Sequence, residues 1–242
     1  MLPRPVLILA GTREARALCG RAAAAGLDVL ASLAGRTARP DLGVPVRVGG
    51  FGGDDGFRAA LAGVGAVLDA THPFAATMSR RAATICAAEG VPHLRLTRPP
   101  WPVEPGWRLH PDAGAVARAI PPDARLLIAS GPGTLDALAG AGARRWCRRV
   151  DPAPPDRRAA WIVGLPADED VEVATMRDLD VTHLVAKNSG GSGRAKLDAA
   201  RRLGVAVHMI ERPPVPAAGE ETHDPERAFA FLRAHADHPR SG

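Results

Sequence analysis

The chain has 242 residues, 46% hydrophobic and 24% charged, enough apolar side chain for one large domain or two small ones and without an apolar run of membrane-spanning length. Three scattered cysteines, Cys19, Cys86 and Cys147, lack C-x-x-C spacing and argue against a disulfide scaffold or a structural zinc site. The formal charge of +5 favours an anionic partner, but only 4% of residues are aromatic and no basic run is interleaved with them, so a nucleic-acid stacking surface is not expected.

Residues 5–10 contain the apolar run Val-Leu-Ile-Leu-Ala, short and continuous, which suits a strand buried on both faces of a parallel sheet. It leads straight into a turn and lacks a signal-peptide pattern, so the cytoplasm is the expected compartment. Thr12 as N-cap, with Ala15, Leu18 and Cys19 facing inward, predicts a helix to about residue 25 that Gly26 closes. Strands are predicted at 27–32 and 44–48, then the glycine-rich stretch 49–53 and a helix over 54–61. A strand from Ala66 ends in the polar knot Asp69-Ala70-Thr71-His72-Pro73-Phe74. Thr71 is read as cap, and Pro73 as first residue, of a helix reaching Glu89. A fifth strand follows at 92–96. This β-α-β-β-α-β-α-β order predicts a doubly wound, mainly parallel sheet.

The stiff segment Thr97-Arg98-Pro99-Pro100-Trp101-Pro102 reads as a linker or as the start of a second unit. Beyond it strands are predicted at 125–129, 145–150, 160–163, 182–186 and 205–210, with helices at 133–138, 169–178 and 194–203. Asp224 as N-cap and Pro225 as first residue open a last helix that runs to about His235. The expected architecture is α/β: two Rossmann-like, mainly parallel three-layer lobes, at 1–100 and 101–242, with an interdomain cleft for ligands.

Candidate sites cluster where predicted strands end. Gly11-Thr12, followed by Arg13, closes a first strand and opens a helix, where backbone amides and the helix dipole can hold a pyrophosphate. The full G-x-G-x-x-G is absent, and a plain tight turn capped by Thr12 is the competing reading. The second strand ends in Ser32-Leu33-Ala34-Gly35-Arg36-Thr37, which offers hydroxyls and a guanidinium but no carboxylate. That suits NADP better than NAD, against the alternative of a solvated loop. Gly50 and Phe51 could bring backbone and a flat ring against a ligand, or belong to a flexible loop. His72 could donate a proton, donate a hydrogen bond or simply cap a turn, and no histidine pair has H-x-x-x-H or H-E-x-x-H spacing. Lys187-Asn188-Ser189-Gly190-Gly191 offers a cation, an amide, a hydroxyl and backbone N–H groups to an anion, unless it is an ordinary turn. Only Lys187 and Lys196 among the 31 basic residues are lysine, which marks this position for a compact charge.

These stretches, with Val91-Pro92, Leu94-Arg95-Leu96, Arg98-Pro99-Pro100-Trp101, Lys196-Leu197 and Met209-Ile210 in the same order, resemble the precorrin-6A reductase family of cobalamin biosynthesis. The resemblance spans nearly the whole chain and implies NADPH-dependent reduction of one double bond of the corrinoid macrocycle, giving precorrin-6B. It implies a tetrapyrrole substrate rich in acetate and propionate groups, with other enzymes of that pathway as a further partner class, and neither nucleic acid nor membrane. The cofactor is then expected across Gly11, Thr12, Arg13, Ser32, Gly35, Arg36, Thr37, Gly50, Phe51, Thr71, His72, Pro73 and Phe74. Lys187, Asn188, Ser189 and Gly190 are expected to face the substrate, and His72 and Lys187 to be the protein's candidates for proton delivery. Ala10 stands where the family has a first glycine, and the segments at 130–132 and 163–166 also depart from it. A reductase of another acidic metabolite and a non-catalytic nucleotide- or corrinoid-binding protein are the rival readings.

Overall fold

The structure is a computed structural model that describes residues 4–34, 41–165, 167–214 and 219–236. In chain order it runs β1 (Val6–Ala10), α1 (Arg13–Ala24), β2 (Val29–Leu33), β3 (Val46–Val48), α2 (Asp54–Leu61), β4 (Ala66–Ala70), α3 (Ala76–Glu89) and β5 (His93–Leu96). Then come β6 (Arg108–His110), α4 (Ala113–Ala119), β7 (Arg125–Ile128), a 3-10 turn (Pro132–Thr134), α5 (Leu135–Leu138), β8 (Arg144–Arg149) and β9 (Ala160–Val163). The chain finishes with α6 (Glu169–Asp178), β10 (His183–Lys187), α7 (Ala195–Leu203), β11 (Ala206–Ile210), β12 (Glu220–Thr222) and α8 (Pro225–His235).

Two units result: Met1–Arg98 with Pro214–Gly242, and Pro99–Pro213. The first holds a six-stranded sheet of order β12-β5-β4-β1-β2-β3, and the second one of order β6-β11-β10-β7-β8-β9. Every strand pairing among them is parallel. Each sheet therefore reads third, second, first, fourth and fifth strand of its own α/β run, with a borrowed sixth strand on the far edge. The sixth position is filled from the chain's end in the first unit and from the unit's beginning in the second.

Alternation along the strands explains the layers. Val6 and Ile8 of β1 face a core with α1 and α8, while Leu7 and Leu9 face another that includes Phe57 of α2 and Ile85 of α3. A strand wanted by two helical layers has to be apolar on both faces, which is why the run is continuous. In the second unit Leu184, Ala186, Val207 and Met209 pack with Val173, Met176 and Leu197 of α6 and α7.

The structure corrects the predicted lobes at one point. The segment from Pro214 onwards belongs to the first unit. Glu220, Glu221 and Thr222 pair with Leu94, Arg95 and Leu96, and Ala228 and Leu232 of α8 cover Ala66, Leu68, Leu94 and Leu96. Without α8 that apolar face of β4 and β5 would meet water. The short strands β6 and β12 and the helix α4 are additions to the predicted set; three-residue strands carry too little alternation to be read. No described helix is long and apolar enough to cross a membrane.

Candidate active site

Parallel pairing sends the loops after β1, β2, β3, β4 and β5 out at one edge of the first sheet. Strand order reverses between β1 and β4, the position where open α/β sheets bind ligands. There the two loops run side by side: a Cβ on Gly11 would lie 3.4 Å from the His72 amide nitrogen and 3.6 Å from Thr71 Cα. The Thr12 hydroxyl donates to the Ala70 carbonyl at 3.0 Å and accepts the Ala15 amide at 3.1 Å. One side chain thus caps α1 and ties the β1 loop to the last residue of β4. Arg13, the first residue of α1, lies at this same amino end.

The β4 loop is held from beneath. Asp69 is fully buried, and its Oδ1 accepts the Thr71 amide at 3.0 Å. Its other oxygen lies 3.8 Å from Arg95 Nε, and Arg95 reaches Glu221 of β12 at 2.8 Å. Burial, with Asp69 nearby, pushes the Cys86 thiol up to about 12, leaving it an inert core group. Above this base the predicted helix start is corrected. α3 begins at Ala76 with Ala75 as its N-cap, so Thr71 does not cap it and Pro73 is not its first residue. Instead the Ala75 amide bonds the His72 carbonyl at 2.7 Å, the Phe74 amide donates to His72 Nδ1 at 3.2 Å, and the Thr71 and Ser79 hydroxyls meet at 3.2 Å. Residues 72–75 form a turn of their own because the imidazole and Thr71 satisfy local groups before the helix starts. An Nδ1 that accepts a bond carries no proton, so this geometry assigns the His72 proton to Nε2.

Across β1 from this turn, the end of β2 meets β3 and the residues that follow it. Ser32 is buried at the end of β2 and pairs in register with Arg47 of β3. Arg47 donates to Ser32 Oγ at 2.7 Å and to the Gly50 carbonyl at 3.1 Å, and its guanidinium lies 3.9 Å from the Phe51 ring centroid. Phe51 also packs edge-on against buried Phe57, with centroids 4.9 Å apart. The predicted ring for ligand stacking therefore has one face under a guanidinium. Gly35, Arg36 and Thr37 lie outside the described residues. Arg47 was not among the predicted site residues; its position two residues before Gly49-Gly50 was the available signal.

The other predicted group is in the second unit. Lys187 ends β10 in register with Ile210, and burial holds its ammonium below the usual lysine range. Asn188 is buried and has a structural task that the predicted substrate role did not foresee. Its Oδ1 accepts the Trp101 amide at 2.8 Å and its Nδ2 donates to the Trp101 carbonyl at 3.1 Å. Gly190, at φ +66°, is packed so closely that a Cβ would collide with the Pro99 carbonyl. Trp101 Nε1 donates to the Gly191 carbonyl at 2.9 Å. Most of this loop stitches the 99–101 segment to the sheet; Lys187 and Ser189 are the half-exposed members.

Cavities do not relocate the site. In the first unit Thr12, Thr71, Pro73 and Arg98 help line a space of about 10 Å³, room for roughly one water. A cavity of about 530 Å³ in the second unit lies at the amino ends of β8 and β9. Two of its three arginines are already engaged, Arg145 by the Ala141, Gly142 and Arg158 carbonyls and Arg158 by Asp136 and Asp156. Among the described residues no group of three or more His, Cys, Asp or Glu side chains could hold a metal ion.

The family model described as precorrin-6x reductase CbiJ/CobK matches residues 5–233. A precorrin-6A reductase of Rhodococcus erythropolis is 42% identical, over 94% of this chain and 96% of that protein. One of Rhodobacter capsulatus is 41% identical, over 88% and 89%. A solved structure named CobK precorrin-6A reductase superposes with a TM-score of 0.87 at 36% identity, covering 98% of this chain and 100% of that one.

Proposed function

The chain belongs to the precorrin-6x reductase family CbiJ/CobK and is an oxidoreductase of cobalamin biosynthesis that reduces precorrin-6A; we propose that NADPH is its electron donor, bound at the carboxyl edge of the first sheet. The observation that carries the proposal is the strand-order reversal between β1 and β4, with Gly11 and the amino end of α1 at that point. The residues there fit a phosphorylated dinucleotide. Backbone comes close without side chains between the loops, the Thr12 cap leaves the helix dipole facing the edge, and no carboxylate stands in β2 to favour an unphosphorylated ribose.

When bound, NADPH supplies the hydride for one double bond of the macrocycle, giving precorrin-6B. The chain's own groups position and exclude water. Thr12 and the Asp69-anchored turn fix the two loops relative to each other. His72, with Nδ1 engaged by the Phe74 amide, presents an N–H and acts as a hydrogen-bond donor rather than as an acid. Lys187 is the remaining side-chain candidate for proton delivery, and its lowered pKa supports that role. Lys187 and Ser189 are the proposed contacts to substrate carboxylates. The three free, buried cysteines suit a reducing cytoplasm.

The test is optical. NADPH oxidation should require precorrin-6A and should run far more slowly with NADH. Equal rates with the two donors would remove the NADPH assignment, and tight binding without oxidation would favour a carrier.

A further inference from the structure

We propose that Arg47, braced by Ser32 and Phe51, is the residue that selects NADPH over NADH by receiving the 2′-phosphate of the adenosine. The inference rests on the cofactor reading above and names the group that performs the discrimination.

Four observations converge on this residue. It sits in register beside Ser32, the residue near the end of β2 where nucleotide-binding sheets of this strand order read the 2′ position of the ribose. In NAD-selective sheets an acid stands there; here β2 is Val-Leu-Ala-Ser-Leu, and among the described residues the Arg47 guanidinium lies against its end. That guanidinium is held in one plane by a hydroxyl, a carbonyl and a ring face, from Ser32, Gly50 and Phe51. Finally, no carboxylate pairs with it among the described residues, whereas Arg21, Arg58, Arg81, Arg95 and Arg148 each have an acidic partner.

The donor arithmetic suits a phosphate. A guanidinium has five N–H groups, and two are engaged by Ser32 and Gly50. The remaining three are fixed in direction by the brace, and a planar cation with preset donors loses little freedom on binding a phosphate. With one face on Phe51, the other face is the natural platform for adenine, so the guanidinium can stack on the base and bond the phosphate at its rim. Phe51 acts through Arg47 and is a positioning residue.

Dissociation constants of NADPH and NADH, measured by calorimetry on the full chain, test this. Arg47→Ala should weaken NADPH by about 10- to 100-fold and NADH by less than about 3-fold, the loss of a charge-assisted bond. Arg47→Lys should keep the salt dependence of NADPH binding but recover only part of the affinity, because an ammonium cannot be braced flat. Thermal unfolding should show that both variants remain folded. If the wild type prefers NADPH and Arg47→Ala weakens both dinucleotides equally, or neither, the proposal is overturned while the cofactor reading stands. A selective loss in Arg36→Ala with Arg47→Ala unaltered would overturn it too, moving the role to Arg36. If the wild type has no preference, the NADPH reading falls and this assignment with it.

Discussion

At the scale of single residues, two polar side chains serve backbone and a third is buried among its own kind. Thr12 caps α1 and bonds the Ala70 carbonyl, so Thr12→Val should cost about 1–2 kcal/mol of stability and raise the KM for NADPH, measurable by thermal unfolding and initial rates. His72 caps its own turn through Nδ1. His72→Asn can keep that acceptor, so the high-pH limb of the kcat–pH profile should survive in it; disappearance of that limb would instead make His72 the proton donor. His208 is fully buried in β11, 3.0 Å from His110, with His183 and Arg108 also near it. Burial first, then the charge that His110, His183 and Arg108 can carry, lowers its pKa to about 4, and His110 and His183 are lowered by burial as well. Asp112, Glu211 and Asp123 oppose the shift at the outer two histidines. The unfolded chain takes up the His208 proton near pH 6.5, so between about 6.5 and 4 it binds more protons than the folded one. Stability is therefore complete above that window and falls on acidification through it, by on the order of 3 kcal/mol for His208. His208→Phe should flatten that slope in denaturant titrations at a series of pH values.

At the scale of elements, the same loop can look like a binding site and be a splice. The Lys-Asn-Ser-Gly-Gly stretch after β10 has the composition of an anion receiver, yet Asn188 mimics a peptide group to hold Trp101, and Gly190 lies under the Pro99 carbonyl. Gly190→Ala demands a left-handed alanine and displaces that carbonyl, so a loss of more than about 1 kcal/mol is expected by chemical denaturation. Composition could not separate the two roles because both use the same donors and acceptors; the partner, 87 residues away in sequence, decides. The β4 loop teaches the converse. Proline after a strand suggested a helix start, but local bonds from His72 and Thr71 captured the chain first and moved the helix three residues on.

At the scale of the whole chain, the first unit is closed by its last residues. Deleting everything from Pro214 removes β12 and α8, stripping cover from Leu68 and Leu94 and taking Glu221 from Arg95 and hence from the base of the β4 loop. Such a truncation should lose NADPH binding and cooperative unfolding of the first unit, seen as a missing transition in calorimetry. The strand runs, their parallel order and the loops that bear the candidate site were legible in the sequence because burial on both faces imposes an apolar run and each strand end imposes a turn. The family was legible for the same reason, since those turns carry its motifs in order. Which distant strand fills an edge, which asparagine clamps a backbone and which arginine lies against Ser32 were decided only by the tertiary structure. Those choices depend on partners far apart along the chain, and a hydrogen bond across such a distance leaves no periodic trace in either segment.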